Sequence, residues 1–179
     1  MDEESRMKKT LNKPQIKCFI AAKTNQVDKS IRQNGLVSFA IPDLGILFRT
    51  SSLGSYYELE YVSLLSLLRF IELNRSAFEN QKIDIYSTSS LLVYQVNQNA
   101  FCEKELEKHK NLAVAYKNTL NFSLSWIPQS ENRAEKGMLD LPPLKNSFKM
   151  NLSFDPSVRT KGQDESSDFN FEDLHKKFK

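Results

Sequence analysis

Residues 56–78 read YYELEYVSLLSLLRFIELNRSAF, and no other run constrains the fold as much. Leu64, Leu65, Leu68 and Ile71 recur at the spacing of one helical face, while Leu59, Val62 and Phe70 fill a second face. A helix that is apolar on two faces is buried on two sides. Glu58 falls in its first turn, where an acid interacts well with the helix macrodipole.

Strand signals surround this helix. The run IKCFIAA (16–22) is short and apolar, as a buried strand is. After the polar loop KTNQVDKSIRQN, the runs GLVSFAI and GILFRTS flank Pro42-Asp43-Leu44-Gly45. Proline presets φ and glycine accepts a left-handed turn, so these two runs form an antiparallel hairpin. KIDIYS (82–87) is a fourth strand, and Ser89 or Ser90 caps the following helix SLLVYQVNQ. EKELEKHKNLAVAYKNTL is a second long helix with Leu106, Ala113 and Tyr116 on one face and Lys104 and Lys108 on the opposite one. Opposite charges at Lys104–Glu107, Glu105–Lys108 and Glu107–Lys110 make that face a solvated, self-paired surface. His109 sits at the edge of the apolar face, where it packs rather than ligates. NFSLSWI alternates Phe122, Leu124 and Trp126 against serines, a half-buried fifth strand in which Trp126 reads as a core anchor, with a base-stacking platform as the second reading. ENRAEKGM starts a short helix that Pro142-Pro143 end early.

The order β-β-β-α-β-α-β-α predicts an α/β domain with a mixed five-stranded sheet and helices on both faces. It occupies residues 16–138, between a polar extension (1–15) and a tail (139–179) that loses periodicity. In the tail, SSDFNFEDLHKKF suits a short amphipathic helix near 167–178, which docks on this domain or on a protein partner, or else is disordered.

Composition removes several classes of function. Cys18 and Cys102 form no CxxC pair and read as reduced, packed thiols of a cytoplasmic protein. With His109 and His175 they complete no zinc spacing. The first residues lack the apolar core of a signal peptide, and no run approaches the ~20 apolar residues of a membrane span.

Three of these stretches, in this order, resemble the ribonuclease H fold. YYELEYVSLLSLL is similar to the family's first helix, which opens with a metal-binding Glu; on that match Glu58 holds the catalytic position. IYSTSSLLVYQV is similar to the fourth strand and its helix, where the family's Thr-Asp-Ser is replaced by Thr88-Ser89-Ser90. LSWIPQSENRAEKGM is similar to the last strand and final helix, with Asn132 and Ala134-Glu135 one residue closer than in the family pattern. The resemblance implies four carboxylates holding two Mg²⁺ ions, a pair roughly 4 Å apart that activates water and stabilises the leaving oxygen. Here Ala22 matches the carboxylate of the first strand and Ser89 the one after the fourth, so only Glu58 and Glu135 remain as relics. Glu135 also reads as a surface helix residue, and Ser89 most simply as a helix cap. No bound metal or other cofactor is expected, Mg²⁺ belonging only to an active enzyme. The resemblance therefore implies a module that binds RNA–DNA hybrid or double-stranded RNA without cutting it. Two alternatives stand beside it: a scaffold working through its tail, and a divergent metal-dependent ribonuclease.

The formal charge of +3 permits nucleic-acid contact without demanding it. Lys8 and Lys9 belong to an N-terminal basic cluster, and Lys23, Lys29 and Arg32 follow the first strand, near the face where the family's active site lies. Flexible cations of this kind serve phosphate contact without sequence readout; ordinary solubilising charge is the other reading.

Overall fold

The computed structural model describes residues 13–25 and 27–135. Strands β1 (Gln15–Lys23), β2 (Gln33–Ile41) and β3 (Ile46–Gly54) are followed by helices α1 (Tyr56–Leu73) and α2 (Arg75–Phe78). Then come β4 (Lys82–Ser87), α3 (Ser90–Asn97), α4 (Lys104–Leu120) and β5 (Phe122–Trp126). The sheet order is β3-β2-β1-β4-β5. β2 pairs antiparallel with β1 and with β3, whereas β4 pairs parallel with β1 and with β5. The expected hairpin turn is a short 3₁₀ turn over Pro42–Leu44 closed by Gly45 at φ 66°, a left-handed conformation that favours glycine.

α1 is buried on both sides, as its pattern predicts. Leu64, Leu65, Leu67, Leu68, Phe70 and Ile71 join the main core, and Leu59 and Val62 pack on Val37 and Ala22. Each such buried side chain contributes about 1.5–3 kcal/mol of hydrophobic stabilisation, so α1 is the element around which the rest packs.

Ile16, Cys18 and Ile20 of β1, Ile83 and Ile85 of β4, and Phe122 and Leu124 of β5 share that core with α1, α3 and α4. All three long helices of the described residues thus lie against one face of the sheet. The other face is capped in part by residues 129–135, whose Ala134 packs on Ala21 and Ala40. The part of the expected ENRAEKGM helix beyond Glu135 lies outside the described residues, as do the expected tail helix at 167–178 and the polar extension as far as residue 12. Up to Glu135 the segment is a 3₁₀ turn followed by a further turn. Cys18 and Cys102 are free and buried. Among the described residues no helix is long and apolar enough to cross a membrane.

Two expectations need correction. Lys110 is not part of a solvated charge ladder. It is buried, and its ammonium donates to the Ala100 carbonyl at 3.0 Å. Position 110 lies four residues after Leu106 and therefore on the same face, so its aliphatic stem packs while its head caps a loop. Trp126 is not a core anchor: it is 54% exposed. Phe122 and Leu124 share its alternation and are buried beneath α3 and α4, but β5 ends at Trp126, beyond the reach of those helices.

Candidate functional site

β1 lies between β2 on one side and β4 on the other, so the chain order reverses between β1 and β4. In open α/β sheets, ligands bind in the crevice outside the carboxyl ends of the strands at such a point. The crevice here begins with β1 and β4. Phe19 stands opposite Tyr86, and just beyond this pair Ala21 and Thr88 line one small crevice. Glu60 shares this crevice with Ala21, Ala22, Ser63, Ser87 and Thr88.

Glu60 is 5% exposed. Burial raises its carboxyl above the usual range; hydrogen bonds from Ser89 and Tyr56, together with the Lys29 ammonium, act in the opposite direction, and the Glu135 charge adds to the rise. Glu135 reaches the same place from the C-terminal segment, where its Oε1 accepts from the Thr88 hydroxyl at 3.3 Å. The structure thus brings Glu60 and Glu135 to the sheet's carboxyl edge.

Glu58 does something else. Its Oε2 accepts from the Ser55 backbone N–H at 2.7 Å, while its own N–H donates to Ser55 Oγ at 3.2 Å, a complete capping box. Its second oxygen pairs with Arg32 at 2.9 Å. Helical geometry turns residues two apart roughly 200° from each other. With Glu58 committed to the helix end, the acid presented to the crevice is Glu60. Ser89 caps α3, accepting from Leu92 N–H at 3.2 Å, so Thr88 is the residue of that turn that lines the open groove. Ala22 packs on Val37, Leu59 and Val62, on the helix face of β1, while Ala21 packs on Ala40 and Ala134 on the other. The sequence singles out Glu58 and Ser89, which close helix ends, rather than Glu60 and Thr88 beside them; Ala22, which it also singles out, lines the crevice together with Ala21. The signal for the Glu58 cap was present: Ser55-x-x-Glu58 is a capping-box spacing.

An open groove of about 710 Å³ extends from this crevice, lined by Lys23, Lys29, Arg49, Tyr56, Trp126 and Glu135 among others. The Lys29 ammonium sits 4.5 Å from the centre of the Tyr56 ring, and its carbonyl accepts from Tyr56 N–H at 3.0 Å. With the Arg32–Glu58 pair, these contacts fix the end of the β1–β2 loop on the start of α1. Lys23 and Lys29 therefore line the groove, whereas Arg32 is engaged with Glu58 although its side chain is 62% exposed. Lys8 and Lys9 lie outside the described residues. Asn132, fully buried, ties the C-terminal segment to β1: its amide donates to the Ile20 carbonyl at 2.8 Å, and its oxygen accepts from Ala134 N–H at 3.0 Å.

No protein-family model matches the sequence, and no curated protein does. Solved structures do match in shape. LC11-RNase H1, isolated from compost by a metagenomic approach, superposes with a TM-score of 0.56 at 16% identity, covering 66% of this chain and 87% of its own. The same protein in complex with RNA/DNA hybrid gives a TM-score of 0.55 at 16% identity, covering 66% of this chain and 88% of its own.

Proposed function

We propose, from the ribonuclease H-like fold of this chain, that it is a nucleic-acid-binding module which contacts phosphates along the carboxyl edge of its sheet and does not cut them. The observation that carries this reading is the groove itself, where Lys23, Lys29 and Arg49 line one continuous opening at the sheet's switch point. A protein of the same fold has been solved with RNA/DNA hybrid, which makes a hybrid the first probe to use.

The residues present do not fit the two divalent ions that the fold implies. Two such ions need several anionic oxygens packed together. Among the described residues the site offers two carboxylates, Glu60, which is buried, and Glu135, which accepts from Thr88. Its other contributors are the side chains of Ile20, Ala21 and Ala22 and the hydroxyls of Ser63, Ser87 and Thr88, with lysine and arginine at the rim. Among the described residues, no group of three or more His, Cys, Asp or Glu is placed to hold a metal ion. Binding through fixed cations needs none.

The test is equilibrium binding of the full chain to a labelled RNA–DNA hybrid across a salt series, with an Mg²⁺ and Mn²⁺ cleavage assay run alongside. If the three groove cations each meet a phosphate, affinity falls roughly 40-fold between about 50 and 200 mM salt. Replacing Lys23 and Lys29 together with glutamate should flatten that slope and weaken binding. An affinity indifferent to salt would remove the phosphate contacts. Metal-dependent cleavage abolished by Glu60→Gln would make the protein an enzyme instead.

A further inference from the structure

We infer that the groove takes an unpaired nucleotide of a single strand, its base stacked on Trp126 and its phosphate held by Lys23 and Lys29. This rests on the nucleic-acid reading above and narrows it to a strand end or a single-stranded segment.

Trp126 is the chain's single tryptophan, and more than half of its surface faces solvent. Its position is nevertheless fixed. The indole Nε1 donates to the Thr88 carbonyl at 3.0 Å, and the adjacent Ile127 N–H donates to the Ser87 carbonyl at 2.9 Å. A large ring held by its polar edge, with its surface left in a charged groove, is arranged as a stacking platform is. The cations reach the groove from the other side of the switch point. Lys23 ends β1, and Trp126 ends β5, two strands away in the sheet. Two strand spacings are roughly 10 Å, which suits a base at one end of the groove and its phosphate at the other. Of the two acids, Glu60 is buried in the crevice, while Glu135 lines the groove and accepts from Thr88, so the phosphate belongs at the lysine end and not beside Glu135. Bases inside a duplex are covered on both faces by their neighbours, whereas an unpaired base is free to turn a face to an aromatic ring.

The experiment uses the full chain and three probes: a short single-stranded RNA, a blunt-ended RNA–DNA hybrid, and the same hybrid with an unpaired overhang. Wild type should bind the single strand and the overhang with quenching of Trp126 emission. Trp126→Ala should weaken both by roughly 5- to 150-fold, the range of one base–aromatic stack, and leave the blunt hybrid unaffected. Trp126→Phe, which keeps a flat ring, should recover most of the lost affinity, and equal melting temperatures would show that both variants fold. Equal affinity of wild type and Trp126→Ala for the single strand would overturn the inference while leaving phosphate binding in place. So would an emission already shielded from acrylamide in the free protein and unchanged by any probe, because the groove would then be filled by the chain's own residues beyond 135. Failure of all three probes to bind at low salt would overturn this inference and the nucleic-acid reading together.

Discussion

Replacing Asn132 with alanine should unfasten the C-terminal segment from the sheet. The side chain is completely buried and satisfies two backbone groups at once, the Ile20 carbonyl and the Ala134 N–H. Alanine leaves both without a partner, at about 1–3 kcal/mol each when no water reaches them. Ala134 remains strapped by its carbonyl, which accepts from Ser38 Oγ at 3.0 Å, so the segment would not be released entirely. The expected loss is roughly 2–4 kcal/mol, on the order of 10 °C in melting temperature for a domain of this size. The assay is urea denaturation, with stability read from the midpoint at an unchanged slope. Asn132→Asp sharpens it. That change keeps the acceptor for Ala134 N–H but sets an oxygen against the Ile20 carbonyl, and should cost at least as much as alanine. A loss under about 0.5 kcal/mol for both variants, the size of an ordinary surface substitution, would refute the reasoning.

Gly35→Ala should destabilise by about 1–3 kcal/mol by overpacking, because the added Cβ would lie 2.8 Å from the Lys23 carbonyl and 2.3 Å from Leu59 Cδ1; thermal melts check it, and an unchanged melting temperature would contradict it. Glu60→Gln should stabilise the protein at neutral pH. Burial raises this carboxyl in the folded state, so the wild type loses stability as pH rises from the unfolded-state value of about 4.3 through the higher folded value. Denaturation midpoints at pH 4 and pH 7 should therefore diverge between variant and wild type, and a variant that is less stable at pH 7 would show the desolvation argument to be wrong. Ser89→Ala should cost about 1 kcal/mol through loss of the α3 cap, read from the same midpoints.

The periodic parts of the sequence translated directly into structure. β4 spans KIDIYS as read, α1 is covered on both sides, and the Pro42–Gly45 turn joins β2 to β3. The site was legible only to within a residue or two. Glu58 and Glu60 are both acids near the start of one helix, and periodicity cannot say which of them a cap will claim. Thr88 and Ser89 differ in the same way, since one hydroxyl closes the helix and the other is left to the groove. Lys110 and Trp126 misled for different reasons. Lys110 was placed by its charge pairing with Glu107, although its four-residue offset from Leu106 puts it on the apolar face. For Trp126 the alternation was read correctly, but where a neighbouring element stops is a tertiary fact that no spacing within one strand encodes.

The central position of β1 has a kinetic consequence. Its antiparallel neighbour β2 is supplied by the next strand along, whereas its parallel neighbour requires Gln15 to meet Lys82 across two further strands and two helices. Hairpins close in microseconds, while distant pairings wait on the loss of chain entropy they must overcome. Assembly of this domain should therefore proceed in two unequal stages that share one strand: an early meander, and a slower docking of β4 once α1 has offered it an apolar bed. A lesion in β1 delays both stages, and a lesion in β5 only the second.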